Sequence, residues 1–539
     1  MPRADRGSYD AVVVGGGHNG LVAGFYLARA GVKTLILERR EILGGACNTE
    51  EFAPGFRAST GAYVLSILRR SIWRDMQLIR RGIRVDEAGP SLNLYPDGAH
   101  FMLHDEIEPA VEEITRFSRR DARAFPRFEQ DLARLAVGVT PVFDWTPPDP
   151  RARRLRDLAG LSRFVLQAFR HRGDIQDAAF LFSTSVSQFL GERFESEHLK
   201  AALGWHAIND SVSGPSTPGT AYVLLHDHAA EDSGGAVRTW GFVRGGMGVL
   251  SSRMADAARE AGAEIRTGAE VERVTIRRGR ASGVALLGGE EIRSRVVLSN
   301  ADPKRTFLKL VEPEALPESF LGAIRAYRSE GTSIKINLAV TQLPRAKGLP
   351  DSGVQPYHRG IMEINSTLSD MDWDQAQAHQ GVPARNSHVE VCFPTVHDPS
   401  LAPEGKHVVT IDVNSQPYTL REGSWDALKE GVADRVIDQL GGYFPNLPGS
   451  IEHRQVLTPL DLERLLYLTG GHALHGDMAP DQLLFMRPVR GYGDYRTPLR
   501  GLYLCGAGTH PGGGVTGANG RNCVREVLID RKRGRWRRR

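Results

Sequence analysis

The sequence predicts an α/β fold that opens with a Rossmann-like unit for a dinucleotide, and three observations predict it. An apolar run, Tyr9-Asp10-Ala11-Val12-Val13-Val14, leads straight into Gly15-Gly16-Gly17-His18-Asn19-Gly20. A helix-compatible stretch, Leu21 to Ala30, follows. A second apolar run, Val32 to Leu37, ends on an acid, Glu38, about 20 residues past the glycines. Gly15 permits the tight turn and Gly17 the close approach of backbone to a pyrophosphate. Gly20 lets the helix pack on the strand, and the free amides of the helix start face the anion. Glu38 stands where a carboxylate accepts from ribose hydroxyls. The glycine pattern alone is weak; strand, glycines, helix, strand and acid in one unit specify a bound nucleotide.

Composition bounds the rest. A chain of 539 residues exceeds one ordinary core, so two or more domains are expected. At 41% hydrophobic it can bury a large core, yet no apolar run approaches the ~18 residues of a bilayer span. The start, Met1 to Arg6, has no apolar signal region, so secretion is not expected and a cytoplasmic location is. The net charge of +4 sits in residues 531–539, which hold seven cations and no acid. That tail reads either as a solvated end or as a contact with anionic lipid on the inner face of a membrane, with Trp536 at the interface. Arg151 to Arg172 gives the same pair of readings: apolar residues at helical spacing, with arginines on the other faces, suit a bilayer surface or the chain's own domain. No nucleic-acid partner is expected, and the oligomeric state is left open. Residues 211–220 read as a flexible loop.

The four cysteines, Cys47, Cys392, Cys505 and Cys523, form no Cys-x-x-Cys pair, so neither a zinc site nor a redox pair of that type is suggested. No metal-ligand spacing occurs, and no metal is expected. So few cysteines suit a reducing compartment.

Two further glycine runs say which nucleotide. Gly44-Gly45 follows Glu38, where NAD-binding dehydrogenases need no glycine pair. Near the other end, Gly501-Leu502-Tyr503-Leu504-Cys505-Gly506-Ala507-Gly508-Thr509-His510 continues through Gly512-Gly513-Gly514-Val515-Thr516-Gly517 as strand, glycine loop and helix. The first run resembles the extended motif of FAD-containing oxidoreductases of the glutathione-reductase and amine-oxidase type. The second resembles the C-terminal flavin motif of phytoene-desaturase-like enzymes. Arg244-Gly245-Gly246-Met247-Gly248, Val296 to Pro303, Pro394 to Pro399, Gly470 to Asp477 and Asp481 to Pro488 extend the likeness over roughly residues 8–528. Together they resemble the branch that contains the CrtO-type carotenoid ketolases and pyridine nucleotide-disulfide oxidoreductase domain-containing protein 2. Disulfide reductase chemistry is rejected nonetheless. Those enzymes place a second cysteine five residues after the first, and here that position is Phe52. Cys47 then reads as a small neutral residue near the cofactor.

The resemblance implies FAD and a discontinuous FAD-binding domain from 1–70, 241–305 and 481–530. A mixed α+β substrate or cap domain would come from 71–240 and 306–480. It assigns cofactor contact to Gly15, Gly17, His18, Asn19, Gly20, Glu38, Arg39, Gly44, Gly45, Ala46 and Val271, and to Gly506, Gly508, His510, Gly514 and Val515. A helix start near Thr516 would aim its amides at the flavin pyrimidine edge. The implied activity is dehydrogenation or desaturation, with hydride passed from a hydrophobic substrate such as a polyene or isoprenoid to flavin N5, and reoxidation by oxygen or quinone. Two alternatives stay open: a flavin amine oxidase-like small-molecule oxidase, and an FAD-bearing regulatory or interaction protein.

Catalytic candidates are three. In the nearly alternating run Thr332 to Leu338, Ser333, Lys335 and Asn337 share one face, and His407 to Val413 is a similar run; both read as half-buried strands. Lys335 reads either as a water-organising lysine on the flavin side or as a solvent-facing one. His472 and His475, in a glycine-rich turn, read either as bases near neutral pH or as structural histidines.

Overall fold

The computed structural model describes residues 8–151, 162, 172–228, 240–385 and 388–536. In chain order its strands are β1 (Ser8–Val14), β2 (Thr34–Leu37), β3 (Thr49–Ala53), β4 (Phe56–Ser59), β5 (Val85–Glu87), β6 (Ser91–Leu94), β7 (His100–Leu103), β8 (Gly241–Val243) and β9 (Glu264–Arg266). Then follow β10 (Val271–Arg277), β11 (Arg280–Leu286), β12 (Glu291–Ser299), β13 (Ile334–Val340), β14 (Met362–Ile364), β15 (Val389–Cys392), β16 (His407–Val413), β17 (Ile451–Leu457) and β18 (Leu502–Leu504).

The first sheet runs β10-β11-β12-β1-β2-β9, with β18 beside the end of β12. Its centre is parallel: Val12 faces Leu35 on one side and Val297 on the other, and Val297 faces Leu502. A parallel strand covered on both faces reads as a continuous apolar run, which is why Ala11 to Val14 does not alternate. On one face the helices His18–Arg29, Met247–Glu260 and Ala518–Lys532 share a core that includes Leu21, Met254 and Val524. Gly20 makes the first of these contacts possible, because a Cβ there would lie 2.1 Å from the Gly15 carbonyl oxygen. The other face packs on Phe307, Phe320 and Ile324.

The second sheet runs β17-β13-β16-β15-β14-β6-β7 and is antiparallel except at β14–β6. Ile334, Ile336, Val409, Ile411, Val389 and Met362 point to one side and share a core with Val432, Val436 and Leu440 of the helix Trp425–Tyr443. The expectation of half-buried strands is corrected here, since every residue of β13 is buried. The polar side of this sheet is covered as well, and what covers it is the site described below.

A helical lobe built on Arg119–Val139, Val186–Gly191, Glu197–Gly204 and Thr220–Asp227 completes the described architecture around Phe128, Phe189, Phe194 and Trp205. The expected amphipathic helix Arg151 to Arg172 falls outside the described residues apart from its ends and Ser162. The loop at 211–220 is anchored rather than free: Ser211 donates to Asp477 at 3.0 Å and Ser216 to Asp372 at 2.5 Å. The tail is also placed differently. The last helix runs to Lys532, and Trp536 is buried against the first core with the Arg531 guanidinium 5.6 Å from its ring. Trp536 therefore does not project toward a lipid interface. Among the described residues no helix is long and apolar enough to cross a membrane.

Candidate active site

A cavity of about 480 Å³ lies between the two sheets. One end of its wall is the strand-to-helix loop after β1. There Gly44 and Gly45 run beside the first glycines: the Gly44 amide donates to the Gly16 carbonyl at 2.9 Å, and Gly17 and Gly44 form a parallel bridge. Two backbones approach this closely only without side chains. A Cβ on Gly17 would come within 2.8 Å of Asn300 Nδ2, and Gly45 sits at φ +58° with Gly17 beside it. Glu38 is fixed at the end of β2 by the amides of Gly16 at 2.8 Å and Arg40 at 2.9 Å. A carboxylate has about four acceptor positions, so it keeps capacity for further donors.

The cavity wall brings together Gly15, Gly17, His18, Asn19, Glu38, Arg39, Gly44, Gly45, Ala46, Val271, Gly514 and Val515, from segments up to five hundred residues apart. Four other expected contacts stand behind it. Gly20 serves helix packing. A Cβ on Gly506 would meet the Asn300 carbonyl at 2.5 Å, and one on Gly508 would meet Pro303 at 2.4 Å, so both glycines seat the C-terminal loop on the end of β12. His510 turns away: its Nε2 lies 2.8 Å from the Val142 carbonyl, and its own carbonyl accepts from Tyr495 at 2.9 Å. Thr516 is buried and accepts the Ala518 amide at 3.1 Å, with the helix proper starting at Ala518.

At this point sequence comparison decides the family. Residues 20–528 match the model of the flavin containing amine oxidoreductases. The chain belongs to that family. It is an FAD-dependent oxidoreductase. The chain is 41% identical to the mouse (Mus musculus) pyridine nucleotide-disulfide oxidoreductase domain-containing protein 2, over 97% of this chain and 94% of that one. It is 29% identical to a limonene dehydrogenase subunit of Castellaniella defragrans, over 98% and 96%. Among solved structures, the cyclohexylamine oxidase of Brevibacterium oxydans IH-35A has the same fold, with a TM-score of 0.58 and 17% identity over 98% of this chain and 99% of that one.

The wall fits FAD on its own terms. It is a glycine cradle that a Cβ would fill, and several buried polar atoms in it have no hydrogen-bond partner among the described residues: His18 Nε2, Asn19 Oδ1, Arg40 Nη1 and His475 Nδ1. Unpaired buried polar atoms cost free energy unless a ligand or water meets them. Burial holds His18 down to about 4, helped by the charge of His475, so it presents a neutral ring. Disulfide chemistry finds no support in the geometry. All four cysteines are free and buried, and burial pushes the Cys47 thiol up to about 12.

The far wall carries the catalytic candidates. Lys335 faces the cavity, not solvent; its Nζ donates to the Gly61 carbonyl and lies 4.4 Å from the centre of the Tyr63 ring. Burial lowers it to about 8, against the opposing pull of Asp412, Cys392, Asp210 and Glu390. His475 also lines the cavity, in a left-handed conformation (φ 57°) with its carbonyl accepting from Tyr327 at 3.0 Å. Burial, with the Arg487 charge, pushes it below the usual histidine range. His472 does not reach the cavity. Its Nδ1 accepts the Leu474 amide at 3.2 Å, and burial drives it down to about 3. It shapes the turn and is no candidate for a base near neutral pH.

Sequence reasoning missed the acids around Lys335. Asp412 lies directly across from Lys335 on β16, and Glu390 lies directly across from Asp412 on β15. Asp210 comes from the loop after Glu197–Gly204 and accepts from Ser333 at 2.8 Å, its backbone in the left-handed region at φ 52°. Tyr63 donates to Glu390. Asp412, Asp210, Ser333, Tyr63 and Lys335 all reach the cavity. The alternation in Thr332 to Leu338 was the available signal, but register across strands seventy residues apart is not written locally.

Proposed function

We propose that the protein dehydrogenates a hydrophobic, isoprenoid-like substrate held between the FAD cradle and the polar face of the second sheet. The observation that carries this reading is the continuity of the cavity. One space joins the glycine loops to an enclosed wall where Ile67, Val223, Leu474 and Met478 stand with the Lys335–Asp412 row. Apolar side chains supply affinity and a few fixed polar groups supply orientation, the usual make-up of a site for an apolar ligand. The name of the related limonene dehydrogenase supports a terpenoid or polyene class.

In this reading the amides and side chains of Gly15 to Asn19 hold the pyrophosphate of FAD, and Glu38 holds the adenosine ribose. Gly44 to Ala46, Gly514 and Val515 enclose the rest, and Val271 and Arg39 serve the adenosine end. FAD supplies the two-electron acceptor, later reoxidised by oxygen or a quinone. Lys335 orients the acids of the far wall, and His475 closes that wall as a neutral ring. A substrate of this class resides in membranes, so contact with the inner face through the cations of 151–172 and 531–539 is part of the proposal; co-sedimentation with anionic vesicles checks it. A second reading, oxidation of an amine, is favoured by one observation, the carboxylates Asp210 and Asp412 facing the cavity, which suit an ammonium group.

The test is the visible spectrum of the purified protein through gel filtration, followed by anaerobic bleaching. Bleaching by limonene or a short polyene, and not by cyclohexylamine, supports the dehydrogenase. The reverse pattern moves the amine reading to first place. A colourless protein that cannot be loaded with FAD removes both.

A further inference from the structure

The cavity side of the second sheet is an unusual surface for a protein interior. Directly opposed strand residues share a face about 5 Å apart, and the pairing sets Lys335, Asp412, Glu390 and Glu363 side by side across β13, β16, β15 and β14. Asn93 of β6 ends the row. Lys335, Glu390 and Glu363 are buried, and Asp412 is half-buried and lines the cavity. Asp210 adds a fourth carboxylate through Ser333. Asp412, Glu390 and Asp210 cannot all be ionised beside the single Lys335 ammonium in such a setting, because buried charge in excess costs several kcal/mol per ion. Protons must be held there at neutral pH.

The groups that face Asp412 are known from every element packed on it: Lys335 and Ser333 from β13, Glu390 and Cys392 from β15, Asp210 from its loop and Tyr63 from the segment after β4. Burial and the charge of Asp210 raise Asp412 to about 7, while Lys335 pulls the other way. Burial and Asp412 hold Glu390 well above the carboxylate range. Asp412 Oδ1 and Glu390 Oε1 have no hydrogen-bond partner among the described residues. Asp412 is thus the one carboxylate of the row that lines the cavity, with the buried Glu390 behind it.

We propose that Asp412 takes the proton released in the reaction and that Glu390 is the buried carboxyl coupled to it. The proposal rests on the dehydrogenase reading above. When adjacent carbons of a substrate lose hydrogen, one C–H bond breaks with its electron pair leaving as hydride to the bound cofactor. The other breaks with its proton passing to the Asp412 carboxylate, and its electron pair becomes the new double bond. The carboxyl so formed returns its proton through the cavity, which Asp412 lines, before the next turnover. Lys335 and Asp210 act on this group by charge and are positioning residues.

Infrared titration of the FAD-loaded protein, from pH 5 to 9, reads the carboxyl C=O stretch without any substrate. A component titrating near neutral pH is expected, lost in Asp412→Asn, moved to higher pH in Lys335→Met and to lower pH in Asp210→Asn. Anaerobic bleaching with limonene as the probe is expected to slow by about 10²–10⁴ in Asp412→Asn, the range for general acid–base groups, and to recover partly in Asp412→Glu. Unchanged FAD retention in these variants shows that the fold is intact. If limonene and polyenes bleach nothing while the infrared component behaves as stated, the substrate reading fails and the coupling of Asp412 to Lys335 and Asp210 stands. An Asp412→Asn protein with the neutral-pH component intact, or bleached within threefold of the wild-type rate, overturns the proposal.

Discussion

Arg487→Met should be among the most damaging single changes in this protein outside the cofactor loops. Arg487 is fully buried and, among the described residues, has no carboxylate paired with it. Its guanidinium instead donates to five main-chain carbonyls: Leu474 at 2.8 Å, Asp477 at 2.9 Å, Gly476 at 3.0 Å, Ala507 at 3.1 Å and Gln482 at 3.2 Å. Arginine's planar fork makes this possible, and the bonds tie the 474–482 turn, which carries His475 and Met478 into the cavity, to the C-terminal glycine loop. Methionine of similar length fills the space but leaves the carbonyls without donors. The Asp477 carbonyl keeps Gln482 Nε2 at 3.3 Å. At about 1–3 kcal/mol for each remaining group, offset by no longer burying a charge, the net cost is about 5 kcal/mol, or roughly 4–5 °C in melting temperature for a chain of 539 residues. Arg487→Lys keeps the charge with three donors for five acceptors and should lose about half as much. The assay is thermal denaturation followed by protein and flavin fluorescence together. Flavin should be released before the protein signal moves, because the turn is part of the cavity wall. A methionine variant that melts within 2 °C of wild type and keeps its flavin would show that the carbonyl cluster does not hold the wall together.

Three further outcomes are expected. Gly17→Val should purify folded but with flavin occupancy, read as the visible-to-ultraviolet absorbance ratio, down at least tenfold, because even a Cβ meets Asn300 Nδ2 at 2.8 Å; normal occupancy would remove the cradle argument. Acidification should destabilise the fold: burial depresses His18, His226 and His510 to about 4 and His388 and His472 to about 3, so below about pH 6.5 the unfolded chain binds protons that the native one refuses. The raised Asp412, Glu390 and Asp210 oppose this, because they hold protons in the fold that the unfolded chain has released. Five groups against three leave a loss of up to about 2–3 kcal/mol per pH unit between 6.5 and 4.5, and a urea midpoint that stays level or rises from pH 7 to 5 would refute it. Finally, Ellman's reagent should find no reactive thiol in the native protein and four in denaturant, since all four cysteines are buried.

What the sequence disclosed and what it withheld divide along chain distance. The β1 to Glu38 unit was legible because its strand, glycines, helix and acid are contiguous, and each residue type answers a local steric or hydrogen-bonding need. The pair Gly44-Gly45 was legible for the same reason. His510 was misplaced by the same logic: it belongs to a glycine loop that lines the cavity, but its ring is claimed by the Val142 carbonyl from a segment more than 360 residues away. Lys335 was located on the right face of its strand, yet alternation alone cannot say whether a polar face meets solvent or a second domain. The acids that matter to it arrive through strand pairing with β16 and β15 and through a loop near residue 210. Those contacts come from the register of a whole sheet, which no window of sequence contains.

The glycine loops of the cavity wall come from the two ends of the chain, and this sets an order of events during synthesis. Gly15 to Ala46 emerge early, whereas β18, Gly514, Val515 and the helix Ala518–Lys532 that covers His18–Arg29 come last. At translation speeds of about 5–20 residues per second, roughly 25 to 95 seconds separate the two halves of the nucleotide cradle. Throughout that interval Leu21, Val22 and Phe25 have no partner strand or helix from the C-terminal segment. The two halves of the cradle therefore meet only once the C-terminal helix has been made.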